Sequence, residues 1–174
     1  LPLGKISEID QVRHTIESIT NKLAGDSKNI SFSPITMKVY SPNVPNLNLI
    51  DLPGIIMVAC TDRGQPRNIK DQITNLITQY ISVPNSIILA VIAARPDIEA
   101  DPAMELVKHI DPKGERTIGI LTKVDLMNPG TDISDYLNNT ISIDLSTKYG
   151  YYAIKNRSNE EMERLNVFEG IESE

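Results

Sequence analysis

Thr117-Ile-Gly-Ile-Leu-Thr-Lys-Val-Asp125 is the stretch that decides the fold. Thr117–Leu121 has the length and apolar character of a strand buried within a sheet. Thr122-Lys-Val-Asp125 then places a lysine and a carboxylate just past the strand's end. The same arrangement occurs twice more. Leu47–Ile50 reads as a strand and runs directly into Asp51-Leu-Pro-Gly54, and Tyr151–Ile154 reads as a strand followed by Asn156-Arg-Ser158.

Between these points the chain alternates strand-like and helix-like segments. Val12, Ile16, Ile19 and Leu23 repeat at helical spacing, which predicts an amphipathic helix over Ile9–Leu23. Ser31–Tyr40 alternates apolar and polar residues and predicts a half-exposed strand, with Pro34 at an edge, paired as a hairpin with Leu47–Ile50. Asn68–Ile81 has a helical face, and Ser86–Ala93 is an apolar run expected to be a strand buried on both faces. Asp101–Ile110 is a short helix with Asp101 as its cap and Pro102 at its first position. Ile133–Ile143 and Asn159–Leu165 are further expected helices. This alternation predicts an α/β fold: right-handed crossovers, a mainly parallel central sheet and helices on both faces. In such sheets ligands bind outside the carboxyl ends of the strands, where all three motifs are expected.

Composition excludes several alternatives. The chain has 174 residues, the size of one domain, so residues 1–174 are expected to form a single one. A net charge of −6 leaves no basic footprint for nucleic acid and argues against this segment adhering to a membrane by itself. One cysteine, Cys60, rules out an internal disulfide and suits a reducing, cytoplasmic setting. No apolar run approaches the ~20 residues of a membrane span, so membrane association is expected to be peripheral at most. His14 and His109 lie on predicted helices without metal-ligand spacing.

Each motif has a chemistry and an ordinary alternative. A carboxylate at Asp51 can hold Mg²⁺ through water, and Gly54 lets a backbone N–H approach a terminal phosphate without a Cβ in the way. D-x-x-G also makes an ordinary turn. A carboxylate at Asp125 can accept from the N1–H and 2-amino groups of guanine, donors that adenine does not offer, while the Lys123 stem covers the base. The alternative there is a surface turn with a Lys–Asp pair. Asn156-Arg-Ser158 could close over the base or ribose from the other side.

Around these motifs the sequence resembles one family. Leu47-Asn-Leu-Ile-Asp-Leu-Pro-Gly54, Ile87-Ile-Leu-Ala-Val91, and Asp111-Pro-Lys-Gly-Glu-Arg-Thr-Ile-Gly-Ile-Leu-Thr-Lys-Val-Asp-Leu-Met127 resemble the dynamin-type G domain. Pro129-Gly-Thr-Asp132, Gly150-Tyr151 and Asn156-Arg-Ser158 continue the match in order. The resemblance implies a P-loop-NTPase-like fold and a GTP-hydrolysing enzyme of membrane remodelling that uses GTP or GDP and Mg²⁺. It implies a nucleotide-binding set of Asp51, Leu52, Pro53 and Gly54, then Thr122, Lys123, Val124, Asp125, Leu126, Met127 and Asn128, then Asn156, Arg157, Ser158 and Asn159. Asp51 and Gly54 would stand near Mg²⁺ and the γ-phosphate, with Asp51 as the metal residue. Thr122, Lys123 and Asp125 would read guanine, with Asn156 and Arg157 over the base. Asp132 resembles the residue that reaches a nucleotide across a pair of facing G domains, so the expected partners are guanine nucleotide and a second G domain of the same family.

The departures from the family pattern carry equal weight. No G-x-x-x-x-G-K-[ST] stretch occurs in residues 1–174, so the phosphate loop and switch I are expected to be missing, leaving the C-terminal two-thirds of the domain. No catalytic residue is assigned. Val58-Ala-Cys-Thr-Asp-Arg-Gly-Gln-Pro66 is longer than the family's V-P-x-G-D-Q-P. The expectation is a chain that binds guanine nucleotide but does not hydrolyse GTP alone. The alternatives are a non-catalytic relative that docks on a full-length dynamin, and a remnant without independent function. Loss of a central strand would leave open sheet edges and a chain prone to oligomerise.

Overall fold

Ile88, Ala90 and Ile92 alternate with Leu89 and Val91 along one strand, and only the first set is buried. In the computed structural model, which describes residues 9–24 and 30–157, this strand is β1 (Ile88–Ala93). It pairs in parallel with β2 (Thr117–Thr122), which pairs in parallel with β3 (Tyr151–Ile154), in the order β1-β2-β3. The register sets Ile88 opposite Thr117, Gly119 opposite Tyr151 and Thr122 opposite Ile154.

Strands that follow one another in space as they do in sequence, joined by right-handed crossovers, receive their helices on one face. That is what the core displays. Helix α3 (Pro102–Ile110) contributes Met104 and Val107, and Ile133 precedes the short helix α4 (Ser134–Leu137); they pack with Ile88, Ala90, Ile92, Leu121 and Tyr151. Fully burying each Ile or Leu here contributes about 1.5–3 kcal/mol. On the opposite face Leu89, Val91, Tyr152 and Ile154 are exposed, so the expectation that Ser86–Ala93 is covered on both sides fails for this sheet.

Local chemistry explains the helix ends. The Asp101 side chain accepts from the Ala103 N–H at 2.9 Å and Pro102 opens α3, as the sequence predicts. Asp101 also pairs with Arg95 at 2.8 Å. α4 covers four residues where Ile133–Ile143 was expected. It stops at Asn138-Asn139, where Asn139 turns left-handed (φ 54°), and the Thr140 hydroxyl bonds back to Asp135. Asparagine tolerates that conformation and ends helices for the same reason.

The chain divides into two compact units, Leu1–Tyr80 and Ile81–Glu174, and the sheet belongs to the second. The first contains α1 (Ile9–Ala24) and α2 (Ile69–Ile81, whose last residue falls in the second unit), close to their expected bounds. Ile69, Ile73, Leu76 and Ile77 bury one face of α2. Residues 31–50 form no strand, against the expected hairpin, and Met37, Val39, Leu47 and Leu49 are exposed. Alternation marks a strand's faces but does not supply its partner, and an isolated two-stranded pairing is marginal in water. The expected helix Asn159–Leu165 lies outside the described residues.

Candidate guanine-nucleotide site

At the carboxyl end of β2 the backbone makes an unusual turn. Thr122 is sewn to β1: its hydroxyl donates to Ile92 O at 3.2 Å, and its carbonyl accepts from the Ala94 N–H at 2.8 Å. Lys123 then adopts φ 58°, ψ 35°, a left-handed conformation costing a non-glycine residue about 1–2 kcal/mol. A single 3₁₀ turn, Val124–Leu126, follows. Val124 and Met127, three residues apart, pack against the core. Lys123, Asp125 and Leu126 are exposed, and the Asp125 carboxylate accepts no hydrogen bond from the described residues. The strain therefore turns a lysine and a free carboxylate outward from a turn anchored on both sides.

β3 runs parallel to β2, so its carboxyl end lies on the same rim. Asn156 is exposed and Arg157 half-buried there, two and three residues past Ile154. Ser158 and Asn159 lie outside the described residues. Asn128 is exposed. Asp132 accepts from the Ser134 N–H at 2.8 Å at the start of α4, and its bonds to Ser134 hold its carboxyl below the ordinary range.

Asp51, Leu52, Pro53 and Gly54 belong to the first unit and form no regular structure. Because Leu47–Ile50 is not a strand, Asp51 does not follow one; of the three motifs expected at strand ends, those after β2 and β3 are found there. Asp51 is exposed. A Cβ added at Gly54 would meet nothing within 4 Å, so packing does not require glycine there. Further on, Cys60 and Gln65 close a loop reciprocally: the Cys60 N–H donates to Gln65 Oε1 at 2.9 Å and the Gln65 N–H to Cys60 O at 3.2 Å. The segment that departs from the family pattern is thus a self-bonded loop with Gly64 at φ 82°.

Comparison with known proteins gives these motifs a context. The model of the Dynamin family matches residues 3–124. The chain belongs to the dynamin family. It is 46% identical over 159 residues to Dynamin-2 of Homo sapiens and 45% to Dynamin-3 of Mus musculus, each match covering 91% of the chain and 18% of the relative. Dynamin of Drosophila melanogaster is 43% identical over 171 residues, 98% of the chain and 19% of its own length. The chain therefore spans less than a fifth of the dynamins it matches. Its parallel three-stranded sheet with helices accords with part of a P-loop-like G domain.

Two features of this dynamin-family chain escape motif reading. The Tyr151 ring is buried over Gly119, donates its hydroxyl to Leu145 O at 2.7 Å and meets Tyr136 edge-on at 5.3 Å. Burial pushes both phenols up to about 12, so each remains a donor at neutral pH, Tyr136 to Glu99 at 3.0 Å. The second is the Asp111 carboxylate, buried at the foot of the sheet, which accepts from the Glu115 and Arg116 amides and the Thr117 hydroxyl. A glycine inside a strand signals a close approach, and Gly119 was the readable sign of the first. Asp-Pro-Lys-Gly as a turn was the sign of the second.

Proposed function

We propose that residues 1–174 are the guanine-reading part of one dynamin-type GTPase domain, with GTP or GDP as ligand. The observation that carries this reading is Lys123: a strained, left-handed lysine that turns Asp125 outward, with no partner among the described residues, at the carboxyl rim of a parallel sheet. Strain at such a rim is typical of ligand sites. Asp125 accepts from guanine N1–H and its 2-amino group, the Lys123 stem covers the base, and Asn156 and Arg157 close the other side. Thr122, Val124, Leu126, Met127 and Asn128 shape the turn, and Ser158 and Asn159 continue the base loop.

At the phosphates the roles fall to Asp51 and Gly54, with Leu52 and Pro53 setting the turn between them. Among the described residues no three His, Cys, Asp or Glu side chains gather as a protein-only metal cage. A nucleotide-bound Mg²⁺ needs little more from protein than one or two carboxylates, and the exposed Asp51 fits a contact through water. Bound there, Mg²⁺ would neutralise phosphate charge. Gly54→Ala is expected to leave stability within about 0.5 kcal/mol and to weaken nucleoside triphosphate more than diphosphate, as read by thermal melts and paired titrations. Equal weakening of both would remove Gly54 from the γ-phosphate.

Phosphoryl transfer depends on positioned phosphate ligands. With no G-x-x-x-x-G-K-[ST] stretch among them, these residues bind nucleotide without accelerating hydrolysis. Membrane remodelling and pairing of facing G domains, with Asp132 at the contact, belong to the same proposal. Binding of fluorescent GDP, GTP and ATP analogues, with and without Mg²⁺, tests it. Guanine-selective binding is expected, and equal affinity for the ATP analogue would sink it. A non-hydrolysing module that docks on a complete dynamin is the second reading, favoured by the exposed sheet face. Complex formation with a complete dynamin in the absence of any nucleotide binding would select it.

A further inference from the structure

β3 is a short edge strand with a single anchor. It covers four residues, pairs among the described residues only with β2, and Tyr151 is its one buried residue; Tyr152, Ala153 and Ile154 are exposed. The Tyr151 ring reaches sideways onto β2, where it fills the space that any side chain at position 119 would need. A Cβ on Gly119 would clash with Cδ1 and Cε1 of the Tyr151 ring. Two further contacts hold the ring: the hydroxyl bond to Leu145 O at 2.7 Å and the edge contact with Tyr136 at 5.3 Å and 74°. Tyr136 is held in turn by Glu99 at 3.0 Å. One side chain thus joins β2, β3, α4 and the turn before β3.

Gly119 and Tyr151 face each other three residues before Thr122 and Ile154, about 10 Å along the strands from the rim. We infer that Tyr151 is a positioning residue for the base site. By lying across Gly119 it fixes how β3 stands against β2, and so where Asn156 and Arg157 stand relative to Thr122 and Asp125. This inference rests on the guanine-binding reading above. Tyr151 touches no nucleotide. It acts through the strand that leads to Asn156, and small misplacements of binding groups have large effects on recognition.

The test is a ratio that a loss of folded protein cannot change. GDP and IDP differ only in the 2-amino group offered to Asp125, so their affinity ratio reports the geometry of the base site and not the fraction folded. Wild-type chain is expected to prefer GDP about tenfold. Tyr151→Phe keeps the ring over Gly119 and should stay within about twofold of the wild-type ratio. Tyr151→Leu vacates that contact and should lower the ratio at least about threefold in protein shown folded by circular dichroism. A Tyr151→Leu chain that weakens GDP and IDP equally would overturn the inference. Where Tyr151→Leu does not fold, Tyr136→Leu, which removes the edge support and the bond to Glu99 but leaves the Tyr151 ring over Gly119, decides in the same way: an unchanged ratio overturns it. A wild-type chain without any GDP preference would overturn the guanine reading itself.

Discussion

Asp125→Asn is expected to convert guanine preference into xanthine preference while leaving the fold intact. In the proposed site the carboxylate accepts from guanine N1–H and the 2-amino group, two bonds to a charged acceptor. An amide presents an N–H₂ where one of those donors must land. Losing one bond and opposing two donors should cost about 2–4 kcal/mol, roughly 30- to 1000-fold in guanine nucleotide affinity. Xanthine carries a carbonyl at that position and accepts from the new amide, so its affinity should rise. Stability should stay within about 0.5 kcal/mol, because Asp125 is exposed and holds no hydrogen bond with the described residues. Titration of GDP and XDP against both chains checks this. Unchanged GDP affinity in the variant would remove Asp125 from the base site.

Why Asp125 was legible and Tyr151 was not follows from the range of the interactions. A capped helix declares itself locally, as Asp101-Pro102 does for α3, and β1, β2 and β3 showed in their apolar runs. The candidate motif Thr122–Asp125 was readable because it sits within four consecutive residues. Its conformation was not: nothing in a lysine announces φ 58°. The misread elements depended on partners distant in sequence. Met37, Val39, Leu47 and Leu49 alternate like strand residues but remain exposed, since alternation cannot say whether a neighbouring strand exists. Ile133–Ile143 kept helical spacing past Asn138-Asn139, where side-chain bonds to backbone win over helix continuation. Tyr151 on Gly119 joins residues 32 positions apart, and only the odd glycine in β2 hinted at it.

Asp111→Ala should cause the largest loss of stability in the second unit, about 3–5 kcal/mol, a large share of the 5–15 kcal/mol that holds a typical domain folded. Asp111 is 7% exposed, and its carboxylate closes the turn between α3 and β2. It accepts from the Glu115 and Arg116 amides at 3.0 Å each and from Thr117 Oγ1 at 2.7 Å. Alanine leaves all three donors without it, and water reaches the buried Thr117 hydroxyl poorly. The damage would spread, because Arg116 also donates to Ile81 O at 2.6 Å and Ser86 O at 3.2 Å, tying the residues before β1 to the start of β2. Gly114 lies in the same turn at φ 61°, pressed on Ser146 and Thr147, so the foot of β3 rests on it too. The same carboxylate gives stability a direction with pH. Burial pushes its pKa up, but the bonds from Thr117, Arg116 and Glu115 and the Arg116 charge outweigh that and hold it below the ordinary value. A carboxyl with a lower pKa folded than unfolded contributes fully above the unfolded value near 3.9, and the contribution is lost as pH falls through the folded value. Urea melts from pH 7 down to about 3 should therefore show wild type losing stability at the acid end and Asp111→Ala losing less there from a lower start. A variant within about 1 kcal/mol of wild type at pH 7 would mean that the turn holds without its carboxylate, and that the foot of the sheet is fixed instead by Arg116 and the Gly114 contact.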